Sequence, residues 1–164
     1  MHATQKRFIE QRFRAKDWYG RGPRGRRVIK DFDFEGSELV EWTLERMDRD
    51  ERVKPVTIHS LWRREETGSE LLAVDIFECA SVKAAHDQLI ETLGEIESNA
   101  VERRSGKNAI GDVAFGLNDT MVLFARGNLV VWIRNAGRPV VKVGALARSL
   151  DKMLERRLES DRKR

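Results

Sequence analysis

The residues able to do chemistry in this 164-residue chain are few and scattered. His2, His59 and His86 stand far apart, no two histidines fall at i, i+4, and no Cys-x-x-Cys occurs, so no metal-ligand spacing is written here. A nucleophile needs a base within hydrogen-bond reach. Ser60 follows His59, but neighbours on a strand point to opposite faces and cannot make that bond. Cys79, the only cysteine, closes an apolar run and reads as a core residue; alone it forms no internal disulfide. "SGKNAIGD", Ser105 to Asp112, sets glycines beside Lys107 but lacks the Gly-Lys-Ser/Thr ending and a following helix, so it reads as a polar loop rather than a phosphate cradle. His86 and Asp87 read as a surface pair at the edge of a helical stripe. Asp75 lies inside "LLAVDIF". On a solvent-facing strand side it needs nothing; on a buried side it needs an Arg or Lys partner, or its pKa must rise. No catalytic, metal or cofactor-binding residue is assigned from these patterns, and no cofactor is implied.

Charge is the stronger signal. The net charge of +4 divides into +8 over residues 1–30, −11 over 31–100 and +7 over 101–164. Acidic and basic segments that neutralise one another across the folded surface account for this; so does a basic arm free to meet an acidic partner. The candidate contacts for an anionic partner are Lys6, Arg7, Arg12, Arg14, Arg21, Arg24, Arg26 and Arg27 in the arm. Arg148, Lys152 and Arg156 join them, repeating every four residues along the last helix, where Asp151, Glu155 and Glu159 offset their mutual repulsion. Phe8, Phe13 and Trp18 would be apolar anchors for such a contact, or, with Ile9, would dock on the domain or on a dimer mate.

The elements that must position these groups follow from periodicity. Thr4 to Asp17 carries Phe8, Ile9 and Phe13 at helical spacing and predicts a short basic amphipathic helix, followed by "GRGPRGRR" as a connector with nothing to bury. The reading divides the chain into an arm over 1–27, one domain over 28–160 and a frayed tail over 161–164. Val28 to Phe34 alternates as a strand. Residues 38–48 fit either element, with the alternation around Trp42 favouring strand. "VTIHSLWRREE" and "ELLAVDIFECA" predict two antiparallel strands. Ser81 caps a helix over 82–97 whose stripe is Val82, Ala85, Leu89, Leu93 and Ile96. Val113 to Leu117 and Met121 to Ala125 are short strands.

In "FARGNLVVWIRNAG" the triplet Arg-Gly-Asn interrupts an alternating apolar run. Gly127-Asn128 reads as a two-residue hairpin turn, with Arg126 exposed at its mouth rather than serving as a binding motif. A closing helix over 143–159 has the stripe Val143, Leu146, Ala147, Leu150, Met153, Leu154 and Leu158. The predicted class is α+β, a mainly antiparallel sheet of about five to seven strands with both long helices on one face. From about Ala73 to Leu154 the segments "VDIFECASVKAAHDQL", "IGDVAF", "LFARGNLVVWIRNAG" and "ALARSLDKML" resemble small bacterial extracytoplasmic sensor-like domains, such as those attached to mycobacterial serine/threonine kinases. That resemblance implies a ligand-binding or sensing module with no catalytic residues to carry over.

Leu129 to Ile133, the longest apolar stretch, is far short of the roughly 20 residues that span a bilayer. "MHATQKRFIEQRFRAK" lacks the apolar stretch of about 7–15 residues of a secretory leader. The chain reads as cytoplasmic if complete and as extracytoplasmic if a leader was removed. The expected function is a non-enzymatic binding or interaction domain of bacterial type. Two alternatives stay open: a nucleic-acid or polyanion-binding accessory protein acting through residues 1–30, and a small hydrolase-like enzyme through Asp75, His86 and Asp112.

Overall fold

The structure, a computed structural model, describes residues 1–18, 28–66 and 68–160. Their elements run α1 (Ala3–Arg12), β1 (Trp42–Asp50), β2 (Val56–Arg64), β3 (Leu71–Glu78), α2 (Val82–Glu95), β4 (Glu102–Arg104), β5 (Val113–Leu117), β6 (Met121–Arg126), β7 (Leu129–Asn135) and α3 (Gly144–Ser160). The strands form a single antiparallel sheet in the order β1-β2-β3-β7-β6-β5-β4, which is the α+β class expected. Residues 42–50 are strand, as the reading favoured, although of the alternating Val40, Trp42 and Leu44 only Trp42 is buried.

The β6–β7 hairpin sits where its composition requires. Arg126 pairs with Leu129 across Gly127-Asn128, and Gly127 takes the positive φ of +59° that a tight hairpin demands of its first corner residue. Nine of the thirteen residues of both strands are buried and none is exposed, so both faces of this part of the sheet must be covered. Val122, Phe124, Leu129, Val131 and Ile133 pack with Ala147, Leu150 and Leu154 of α3. Leu123, Ala125 and Val130, on the other face, pack with Ala85, Leu89 and Leu93 of α2. The long helices therefore lie on opposite faces of the sheet, not on one. Each stripe was read correctly, but an unbroken apolar strand needs a cover on both sides, and two covers cannot share a face.

Two further expectations change. Val28 to Phe34 is not a strand: its Ile29, Phe32 and Phe34 are buried in the α3-side core, yet no ladder pairs its backbone, and Asp31 has φ +52°. Polar side chains replace the ladder. Glu78 accepts from the amides of Asp31 (3.1 Å) and Phe32 (2.8 Å). Asn128, fully buried, accepts from the Ile29 amide at 2.7 Å and donates to the carbonyls of Ile29 and Cys79, each at 2.8 Å. One turn residue thus ties the hairpin to this N-terminal segment and to the end of β3. The other change is β4, a three-residue edge strand just before the polar loop, where no strand is expected.

The helix of the N-terminal arm is part of the packed body. Ile9, Phe13, Ala15 and Trp18 belong to the α2-side core, where Phe13 meets Phe115 edge-on at 4.9 Å and Trp18 packs against His86 and Phe115. The Trp18 indole N–H donates to the Phe13 carbonyl at 3.0 Å, which satisfies its one buried donor. Ser81 caps α2 as predicted, accepting from the Ala84 amide at 3.1 Å. No helix among the described residues is long and apolar enough to cross a membrane.

Docking of the arm makes a testable contrast. Trp18→Ala, at a side chain 2% exposed, is expected to destabilise the protein by about 3–5 kcal/mol in denaturant unfolding. Phe8→Ala, at 61% exposure on the same arm, should change stability by less than about 0.5 kcal/mol.

Candidate functional site

The α2-side face of the sheet is covered by helices over β5, β6 and β7 but carries polar groups across β2 and β3. The register sets His59 of β2 opposite Asp75 of β3, and Asp75 opposite Trp132 of β7. Asp75 is 5% exposed. Its two oxygens take His59 Nδ1 at 3.0 Å and Arg134 Nη1 at 2.5 Å, and the Arg134 guanidinium lies 4.0 Å over the Trp132 ring. Of the two readings of Asp75, the buried one with a cationic partner holds. This triad is self-satisfied: the acid is neutralised by an arginine and the histidine ring is mostly in solvent. Ser60, on the opposite face as expected, donates to the Val74 carbonyl and accepts from the Trp62 indole.

His86 is not a surface pair with Asp87. It is 1% exposed and stacks edge-on with Trp18 at 5.5 Å, because docking of the arm covers that side of α2. Asp87 instead bonds Lys83 at 2.9 Å and Lys6 at 3.3 Å. Partial burial raises its pKa, but the two lysines outweigh that and hold the carboxyl below its usual range. The Lys6 link between α1 and α2 is therefore present above the ordinary carboxylate pKa and lost as pH falls through the depressed one. Asp112 belongs to a third group: it accepts from the Gly127 amide at 2.8 Å and faces Arg126. Asp75, His86 and Asp112 thus serve three separate sets of contacts.

Arg126 is also not the exposed residue expected at the turn mouth. It forks onto Asp151 of α3 at 2.7 and 2.8 Å, and the same carboxylate accepts from the Gly111 amide at 2.9 Å. Burial opposes charge on this guanidinium, yet Asp151, Asp112 and Glu155 together keep it above its ordinary pKa. Asp151 accordingly clamps α3 to the hairpin rather than offsetting the basic stripe beside it.

Of the arm's five described cations, Lys6, Arg7, Arg12, Arg14 and Lys16, three have partners. Lys6 bonds Asp87, Arg12 donates to the carbonyls of Asn99 and Val101 and stacks over Phe13, and Arg14 pairs with Asp17. Phe13 and Trp18 are core residues, leaving only Phe8 of the three candidate anchors exposed. Arg21, Arg24, Arg26 and Arg27 lie outside the described residues. In the middle of the chain, β1 and β2 carry pair after pair: Arg46–Asp48, Arg52–Asp50, Arg63–Glu45, and Arg64 with Glu41 and Glu70.

The opposite end of the sheet differs. A cleft of about 650 Å³ opens between β4, the β5–β6 turn and the start of α3, and Arg104, Lys142 and Arg148 surround it with Glu102 and Asp119, while Arg103, opposite Phe115, stands on the other face of the sheet. Asn118 and Asp119 both take positive φ in the turn, and the Asp119 carbonyl accepts from the Val143 amide at 2.8 Å, which fixes where α3 begins. Gly144 is required there because the Asp119 carboxylate occupies the space a Cβ would need. Arg104 leans on Asp119 at 3.5 Å, but Arg103, Lys142 and Arg148 make no ion pair among the described residues. Lys152 and Arg156 continue from Arg148 along α3 at the predicted spacing, and Arg156 donates to the Lys152 carbonyl. Arg148 was legible in the sequence as the first cation of this stripe. Arg104 and Lys142 were missed, since nothing in their spacing shows that β4 folds back beside the start of α3. Among the described residues no three His, Cys, Asp or Glu side chains gather as metal ligands.

No protein-family model matches the sequence, and comparisons with curated proteins and with solved structures give no match.

Two measurements check this arrangement. Asp75→Asn and Arg134→Gln should each destabilise the protein by about 1–3 kcal/mol, and the double variant by clearly less than the sum, because each single change leaves the other group unpaired. Burial pushes the Cys79 thiol up to about 12, so alkylation near pH 8 should be negligible in the folded protein and rapid once denaturant unfolds it.

Proposed function

We propose that this protein is a non-enzymatic binding module, of the sensor-like bacterial type that its strand and helix pattern resembles, and that its ligand is a compact anion held in the cleft at the start of α3. The observation that supports this reading is the meeting of Lys142 and Arg148, neither of them paired among the described residues, with Arg104 at one cleft. Like charges brought together without counter-charges repel one another, and a bound anion relieves that repulsion. The cleft, about 650 Å³ and open to solvent, has room for a small anion. Three cations against two carboxylates leave a net positive wall, so the ligand class is anionic, such as a phosphate or a carboxylate.

This reading moves the anionic contact from the N-terminal arm to the α3-side face of the sheet. In the arm, Lys6, Arg12 and Arg14 already have partners, whereas Arg148 of the α3 stripe lines the cleft with its side chain unpaired. The triad at Asp75 has no nucleophile among its bonded partners, and its acid is neutralised, so it supports a structural role.

Calorimetric titration with inorganic pyrophosphate at low and at moderate salt tests the proposal. Binding should weaken as salt rises, and Arg148→Glu and Lys142→Glu should each weaken it about tenfold or more, while Arg7→Glu in the arm leaves it unchanged. Absence of binding for both pyrophosphate and citrate at low salt, or binding that Arg7→Glu weakens as much as Arg148→Glu, would sink it.

A further inference from the structure

The sheet has one long free edge. β1 spans nine residues, Trp42–Asp50, and on its outer side no strand of the described residues pairs with it. A row of open backbone donors and acceptors is a template for another strand, and proteins guard such edges with charge and with bulges. Both guards are here: a bulge between Leu44 and Arg46, and the sequence Glu45-Arg46-Met47-Asp48-Arg49. The order of those charges does more than guard.

We propose that β1 pairs with β1 of a second copy of this chain, antiparallel about a two-fold axis through Met47, joining two seven-stranded sheets into one. In that register each residue faces the one equally far beyond Met47. Arg46 meets Asp48 of the second copy and Asp48 meets its Arg46, while Glu45, at the bulge, keeps Arg63 and Arg49 keeps Glu51. Two opposite-charge pairs result, and Met47 meets its own copy at the axis. Directly opposed residues of an antiparallel pair share a face, so all these pairs are within reach. Every neighbouring register fails. Centring on Arg46 or on Asp48 opposes that charge to itself, a centre between Arg46 and Met47 opposes Glu45 to Asp48, and one between Met47 and Asp48 opposes Arg46 to Arg49. Parallel in-register pairing sets every charge against its own kind. The charges therefore forbid edge association in general and permit it in one alignment.

The tertiary structure supports the same alignment. Arg46, Met47 and Asp48 lie on the regular part of the ladder, beyond the bulge, opposite Leu61, Ser60 and His59 of β2. Met47 packs partly buried against the α3-side core, so a second Met47 beside it extends an existing apolar surface. Arg46 and Asp48 are 76% and 54% exposed and bond each other at 2.6 Å, which leaves both free to share a second partner across the axis. Leu44, one of the few large exposed apolar residues, lies next to this stretch and would be partly covered. This inference uses the edge farthest from the cleft and does not depend on what the cleft binds.

Sedimentation equilibrium on the full chain tests it, with charge-reversed variants supplying the specificity. The wild type should form a dimer at high micromolar concentration. Arg46→Asp and Asp48→Arg alone should each weaken self-association about tenfold or more, because each puts like charges opposite one another twice. The two single variants mixed together should recover a dimer, since one then carries Asp at 46 and 48 and the other Arg at both. The double variant, with its charges exchanged, should dimerise by itself. Circular dichroism melts of the single variants should stay close to wild type, separating loss of dimer from loss of fold. A wild type that remains monomeric at millimolar concentration, or a dimer that the single reversals leave intact, overturns the proposal.

Discussion

The whole architecture depends on burial of one hairpin from both sides. β6 and β7 lie at and beside the middle of the sheet and present apolar side chains alternately up and down, leaving no face for water. At about 25 cal/mol per Å² of apolar surface, leaving either side bare would cost a large part of the few kcal/mol that keep a domain of this size folded. α3 closes one side and α2 the other, and α1 is drawn in because α2 alone does not cover Phe115 and Val113. The N-terminal arm is therefore a structural member. Its basic side chains decorate the outer surface of a helix whose inner residues are already spent on packing.

The same constraint decides where polar groups can stand. Helices on the α2 side reach over β5, β6 and β7, so the face of β2 and β3 beyond them stays open, and Asp75, His59 and Arg134 occupy it. The Asp75 carboxylate is shielded by its own partners rather than by a helix. At the hairpin tip, where three chain segments meet, Asn128 supplies three hydrogen bonds to backbone groups that no ladder satisfies. Arg126 and Asp151 do the equivalent for α3, converting what would be a loosely laid helix into one tied to the sheet by a forked ion pair.

Charge follows a simple geography. Neutralisation is local: the arginines of β1 and β2 find carboxylates on the same or the adjacent strand, within the acidic middle of the chain. The basic terminal third pairs Arg126 with Asp112 and Asp151 of its own segment and Arg134 with Asp75 of the acidic middle, while Lys142 and Arg148 keep no ion pair among the described residues and stand where β4 and α3 meet. Their unbalanced charge gives the cleft its chemical character. At the other end the paired charges of β1 leave a self-complementary edge.

Elements that depend on local pattern were readable from the residues alone: the helices behind Ser81 and before Ser160, the strand around Trp42 and the Gly127-Asn128 turn. These rest on periodicity and turn chemistry, which act over a few residues. The failures all concern relations between distant segments. Phe32 and Phe34 alternate like a strand but have no neighbour to pair with; His86 looks exposed until Trp18 covers it; Arg126 looks free until Asp151 arrives from α3. The side of the sheet each helix takes, the partner of Asp75 and the gathering of Arg104, Lys142 and Arg148 were decided only by tertiary structure. A contact between residues far apart in the chain leaves no periodic trace at either end, because it is selected by how whole elements pack and not by the residues' immediate neighbours.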